Sequence, residues 1–190
     1  MAKRITKKAV SGKISAYISG ERILSNSKLA FNLYSQSRLG EPVEGKIQYS
    51  LVETLYLLEK AKLEVIEGKK KLKSDLFIKH AQKIEPNFHT RYSIYKDLRN
   101  RGYIVKTALK FGADFRVYDK GFKPGQEHAK WIVYPVYESG GITWHEFAAK
   151  NRVAHSTKKN YWRCFVSQSA SRADSHGPCP LFSCAQQGGW

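Results

Sequence analysis

The chain has 190 residues, of which 42% are apolar and 13% aromatic; that allows one domain or two small ones with a packed core, and it excludes global disorder. The longest apolar runs, Leu55–Leu58 and Trp131–Tyr134, fall far short of the ~20 residues a membrane helix needs, and the basic start MAKRITKKAV lacks the apolar run of a secretory signal, so an intracellular, cytoplasmic protein is expected. Lys and Arg total 33 against 16 Asp and Glu, a formal net charge of +17, which points to a polyanionic partner, with a thermophile-like or solubilising surface as the competing reading.

In chain order, residues 13–25 (KISAYISGERILS) predict two short strands around Gly20-Glu21. Residues 26–38 are ambiguous between a short helix and irregular chain. Ser50 and Glu53 form a capping box, and Leu51, Leu55 and Leu58 recur at helical spacing. Leu63 and Val65 alternate with charged residues as in a strand, Gly68–Lys71 reads as a basic turn, and residues 75–84 read as a helix. A second half begins near Pro86. Residues 88–101 predict an amphipathic helix stopped by Gly102. Strands follow over Tyr103–Leu109, Ala113–Tyr118 and Lys130–Tyr137, the last with Pro135 marking an edge or bulge, and Asp119–Glu127 is a Gly/Pro loop. Thr143 and Glu146 make a second capping box that opens a helix to about Ala154, and Lys159–Val166 is one more strand.

The composition changes near Asn160. Residues 1–160 carry 31 Lys and Arg against 15 Asp and Glu, whereas residues 161–190 carry two against one and no Lys. After about Val166 the chain is rich in Ser, Gly, Gln and Pro and is expected to be loop or disorder. Cys164, Cys179 and Cys184 all lie in the last 27 residues, where a folded core is not expected, so no disulfide framework is indicated.

Period two in DFRVY places Phe115 and Val117 toward a core and Asp114, Arg116 and Tyr118 on the other face, so Tyr118 ends a strand, facing outward, at the mouth of a loop that His128 closes. Loop-borne groups on a rigid scaffold are where chemistry sits, although a strand-end Tyr often only packs and a loop His is often only solvated. Arg152-Val-Ala-His155-Ser156-Thr157-Lys158-Lys159 is a basic cluster suited to phosphate contacts, or else a solvated helix end whose cations offset the dipole. Asp114 and Asp119 lack the paired acidic motif of two-metal nucleases, and His176 with Cys179-x4-Cys184 has poor zinc spacing. There is no P-loop, dinucleotide fingerprint or nucleophile elbow.

The stretch Tyr95–Gly121 (YKDLRNRGYIVKTALKFGADFRVYDKG), then Gln126-Glu127-His128-Ala129, then Arg152-Val-Ala-His155-Ser156, resembles the archaeal tRNA-splicing endonuclease family. The phrase YKDLRxRGYxVKxxLKxGADFRxY is long and specific. The segment from Ser50 to Val65 resembles that family's N-terminal domain, and the resemblance covers about residues 10–160. It implies an endoribonuclease that cuts precursor tRNA at a bulge-helix-bulge, needs no metal or cofactor, and leaves a 2′,3′-cyclic phosphate and a 5′-hydroxyl. It implies catalytic roles for Tyr118, for His128 of the EH pair and for Lys159 after the RVAHS motif, and a bulge-contacting role for Arg152. Homotetramers, or heterotetramers with a paralogous subunit, are the assemblies it implies.

The expected fold is mixed α/β: a small N-terminal domain (1–84), then a nuclease-like catalytic domain (85–166) whose mixed sheet is flanked by helices, then an atypical, disordered tail (167–190). The departure from the family lies in that tail. The family continues with an acidic hairpin and a final strand that make subunit contacts; here the hairpin is missing, and residues 167–190 read like the translation of a shifted frame. The alternatives are a non-catalytic RNA-binding or structural subunit, against which the Tyr, His and Lys set counts, and a generic basic RNA-binding protein.

Overall fold

The computed structural model describes residues 12–20, 22–108, 113–121, 128–137, 143–166 and 184–187. The chain divides into two units, Met1–His80 and Ala81–Trp190, each built on its own mixed sheet.

The first unit grows from hairpins. β1 (Ile14–Ser19) and β2 (Arg22–Ser25) pair antiparallel after a turn in which Gly20 takes φ +61°. The ambiguous segment after them is a helix, α1 (Lys28–Ser37), capped by the Ser27 hydroxyl, which accepts the Ala30 N–H at 3.2 Å. β3 (Glu41–Val43) and β4 (Lys46–Tyr49) form a hairpin that the sequence reading passed over. Its two-residue turn, Glu44-Gly45, has both φ angles positive, the geometry that suits the twist of the flanking strands. The expected capping box opens α2 (Leu51–Glu59): the Glu53 N–H donates to the Ser50 hydroxyl, and the Glu53 carboxylate accepts from the N–H groups of Ser50 and Gly40. β5 (Leu63–Glu67) and β6 (Lys70–Leu72) pair across Gly68-Lys69, so Lys70 and Lys71 of the expected basic turn lie in a strand, and α3 (Ser74–Ile84) crosses the division between the units. The sheet order is β3-β4-β2-β1-β5-β6, with β1 and β5 parallel. Ile14, Ala16, Ile23, Ile47, Leu63 and Val65 alternate into its buried face, as period two dictates.

In the second unit, α4 (Phe88–Asn100) ends ahead of Gly102 at φ +91°. β7 (Ile104–Thr107), β8 (Phe115–Tyr118), β9 (Trp131–Tyr137), α5 (Trp144–Ser156) and β10 (Asn160–Val166) follow, and β11 (Cys184–Gln187) completes the order β11-β10-β9-β8-β7. β9 and β10 are parallel; the other neighbours are antiparallel. A parallel pair needs a crossover of a dozen or more residues, and α5 supplies it. α4 packs on one face of the sheet, with the Tyr95 ring 5.8 Å from that of Phe115. α5 covers the other, where Ile132, Tyr134, Ala154 and Tyr161 form a buried cluster with Phe147 and Val153 against it.

Pro135 tolerates its place because β8 pairs with β9 only from Trp131 to Val133 among the described residues, so Pro135 lies beyond that ladder. Three expectations change. Cys164 is buried, contrary to the expectation of no folded core there, because β10 is an interior strand flanked by β9 and β11. Tyr118 is only 6% exposed, so the face that the sequence reading assigned to solvent is covered at this strand end. Four residues of the expected tail form β11, because β10 offers an open edge of backbone N–H and C=O groups that an extended segment satisfies. The rest of that tail, residues 167–183 and 188–190, lies outside the described residues.

Candidate active site at one end of the second sheet

The strand register brings three chain segments to one end of the second sheet. Val117 of β8 is opposite Trp131 of β9, which is opposite Asn160 of β10. One residue earlier in β9 the ladder continues: the Lys130 N–H donates to the Val117 carbonyl, and the Lys130 carbonyl accepts from the Asn160 N–H, each at 3.0 Å. Tyr118 directly follows Val117, Lys159 directly precedes Asn160, and His128 lies two residues ahead of Lys130. Two strand spacings, ~10 Å, therefore separate the backbones of Tyr118 and Lys159, with the segment carrying His128 between them. His128 is exposed. The carboxyl end of β8 and the amino ends of β9 and β10 meet here, so the site is unlike the crevice at the carboxyl ends of parallel strands.

The backbone at Lys159 is fixed by the way α5 ends. Thr157 caps the helix, and Lys158 takes φ +53°. The Lys158 N–H donates to the His155 carbonyl at 3.0 Å and the Lys159 N–H to the Ala154 carbonyl at 2.9 Å, the paired reversal bonds of a Schellman motif. The Lys159 ammonium donates to the Thr157 carbonyl at 2.8 Å and so sits at the negative end of the helix dipole. The RVAHS motif occupies the last turns of α5. Arg152 and His155 are exposed there, and the Ser156 hydroxyl donates back to the Val153 carbonyl.

Tyr118 shares its face of β8 with Arg116, and Lys106 of β7 is opposite Arg116 in register and buried. Asp114 does not follow the period-two reading. It lies in the bend before β8 and pairs with Arg91 of α4 at 2.8 Å, while Arg91 also bonds Glu85 and lies over the Phe115 ring. Burial raises the Asp114 carboxyl above the ordinary carboxylate range, against the opposing pull of Arg91 and Lys150. Burial also pushes the Tyr134 phenol up to about 12 and raises that of Tyr161, so both stay protonated under α5.

The sequence reading missed an aromatic and cationic cluster at the same sheet end. Trp131 and Trp162 lie 5.4 Å apart, with Tyr103 edge-on to both. Lys130 sits 4.6 Å from the Trp131 ring centre and pairs with Asp119 at 3.1 Å; Lys120 sits 5.5 Å from that of Tyr103. The alternation of Trp131 with Ile132 and of Trp162 with Tyr161 was the available signal, but pairing two strands thirty residues apart needed the register. Among the described residues no three His, Cys, Asp or Glu side chains gather as a metal site, and no helix is long and apolar enough to cross a membrane; His176 and Cys179 lie outside them.

Comparison with known proteins gives the same two-part division. Residues 14–78 match the family model of the tRNA intron endonuclease N-terminal domain, and residues 88–172 that of the tRNA intron endonuclease catalytic C-terminal domain. The chain belongs to the tRNA intron endonuclease family. A tRNA-splicing endonuclease of Thermococcus gammatolerans is 41% identical over 155 residues, 81% of this chain and 90% of that protein. One of Nanoarchaeum equitans is 50% identical over 123 residues, 62% and 80% respectively, and one of Methanothermobacter thermautotrophicus is 36% identical over 140 residues. Tyr118, His128, Arg152 and Lys159 all fall within the segment that matches the family's catalytic domain.

Proposed function

We propose that the protein is a tRNA-splicing endonuclease that cuts precursor tRNA at a bulge-helix-bulge without a metal ion, leaving a 2′,3′-cyclic phosphate and a 5′-hydroxyl. The observation that carries this reading is the convergence of Tyr118, the His128 segment and Lys159 on one sheet end in a chain of this family. In this division of labour residues 85–166 carry the chemistry and residues 1–84 form the accessory domain.

RNA supplies the nucleophile. The 2′-oxygen attacks the adjacent phosphorus, a P–O2′ bond forms, and the P–O5′ bond breaks. Tyr118 accepts the 2′-hydroxyl proton, directly or through water. A neutral phenol is a poor base, so this is the role that most depends on nearby cations. His128 donates a proton to the departing 5′-oxygen as general acid. Lys159, tethered to the end of α5, stabilises the charge that builds on the phosphorane oxygens. Arg152 offers a planar cation to a splayed base, the form in which bulged RNA is read, and the +17 charge attracts the phosphates. The enzyme acts on two cut sites as a homotetramer or as a heterotetramer with a paralogous subunit.

Incubation with a bulge-helix-bulge precursor in EDTA, followed by analysis of the product ends, tests the reading. Cyclic phosphate and 5′-hydroxyl ends are expected. Activity that vanishes in EDTA and returns with Mg²⁺ would overturn the mechanism, and tight RNA binding without cleavage would favour the non-catalytic subunit.

A further inference from the structure

We infer that Lys120 is a phosphate-contacting residue, placed to hold the RNA strand on the side of the sheet end opposite Tyr118; this rests on the endonuclease reading above. Lys120 follows Tyr118 by two residues, in a turn that closes at Gly121 with φ +84°. Its ammonium lies 5.5 Å from the centre of the Tyr103 ring, and its methylenes run past Gly102, where an added Cβ would come within 3.8 Å of them. The residue is nevertheless exposed.

Lys130 provides the contrast. It too lies over a ring of the cluster, that of Trp131, but the Asp119 carboxylate neutralises it. Asp119 is thereby engaged, and among the described residues no carboxylate pairs with Lys120. An aromatic face directs a cation without cancelling its charge, so Lys120 is aimed and still positive. Tyr103 and Trp131 lie on the α4 side of the sheet, whereas Tyr118 lies on the α5 side. A strand whose scissile phosphate rests between Tyr118 and Lys159 has neighbouring phosphates that cross the sheet end toward Lys120. Such a contact fixes register and carries no sequence information.

The competing reading is that the lysine stem merely covers Tyr103. Fluorescence anisotropy with a bulge-helix-bulge RNA across a range of salt concentrations separates the two. Lys120→Met is expected to weaken binding several-fold at low salt and to reduce the slope of log K against log salt by about 1, the signature of one lost phosphate contact. Lys120→Arg is expected to keep most of the affinity, and Lys130→Met to change the slope less. In steady-state cleavage the loss is expected in KM far more than in kcat. An unchanged slope and affinity in Lys120→Met, with only a lowered melting temperature, would overturn the proposal. A protein that binds RNA but does not cut it would sink the endonuclease reading while leaving the Lys120 slope readable; failure of the wild-type chain to bind RNA would sink both.

Discussion

The two units are both helices on a mixed sheet, yet they place charge in opposite ways. In the first unit the buried charged group is Glu53, whose oxygens are fully used as a cap for α2 and as an acceptor for Gly40, and the ion pairs of Glu64 with Lys13 and Lys71 are at the surface. In the second unit the buried charged groups are cations, Arg91 and Lys106, and a further lysine is tied down where α5 meets β10. Burying a cation is costly unless it is paired, and Arg91 meets that condition through Glu85 and Asp114. The connections differ in parallel. Hairpins build most of the first sheet and bring near neighbours together, whereas the β9–α5–β10 crossover of the second brings residues some thirty positions apart to one edge.

The strongest way to break this contrast is to remove Arg91. Arg91→Ala leaves Glu85 and Asp114 facing each other, and a loss of ~3–5 kcal/mol is expected for the second unit. All four tryptophans, Trp131, Trp144, Trp162 and Trp190, belong to that unit, so tryptophan fluorescence during urea unfolding reports on it. Glu64→Gln in the first unit, whose partners are surface lysines, is expected to leave the urea transition read by far-ultraviolet circular dichroism, which sees both units, in place. Equal effects of the two variants would erase the contrast.

His128→Ala sharpens it on the side of activity. A ~10²-fold slower single-turnover rate with RNA affinity nearly intact is expected of a lost general acid. Weakened binding at an unchanged single-turnover rate would make His128 a substrate contact instead.

Arg152→Ala is expected to cost ~1–3 kcal/mol in kcat/KM on bulged RNA, through lost stacking and charge. Arg152→Lys should restore little of it, because an ammonium has no planar face; full rescue would show that charge alone matters at this position.

The smallest effect concerns the start of α5. The Thr143 hydroxyl accepts the Glu146 N–H at 3.2 Å, and Thr143→Ala is expected to cost about 1 kcal/mol of thermal stability, read by calorimetry. The Thr143 backbone N–H and hydroxyl donate to the Glu146 carboxylate, and these bonds hold its pKa below the ordinary value. A depressed carboxyl stabilises the fold above its unfolded pKa, and that contribution fades as pH falls through the folded one. The gap in melting temperature between wild type and Glu146→Gln should therefore be present at neutral pH and shrink toward pH 3, and a gap that widens on acidification would refute the assignment.

Much of this was legible in the sequence because local rules dominate it. Both capping boxes, the glycine stop after α4 and the alternation of Phe115 and Val117 act within a few residues of chain, and each emerges as read. The hairpin of β3 and β4 was missed because its arms are short and Pro42 disguises one of them, although Glu44-Gly45 carried the turn. The outward placement of Tyr118 failed for a different reason: period two assigns a residue to a face, but only tertiary packing decides whether that face is solvent. Cys164 and β11 failed likewise, since a strand's neighbours are set by the sheet rather than by its own composition. The candidate site residues were legible as motifs, whereas their meeting at one sheet end depended on the parallel register of β9 with β10.

The central claim is that this sheet end works as one catalytic unit. The most direct test is the single-turnover cleavage rate, in EDTA and at saturating RNA, of His128→Ala, Lys159→Ala and the double variant. Groups that act together in one transition state are strongly non-additive, so each single variant should lose most of the rate and the double variant little more. Near-wild-type cleavage by both single variants would contradict the claim.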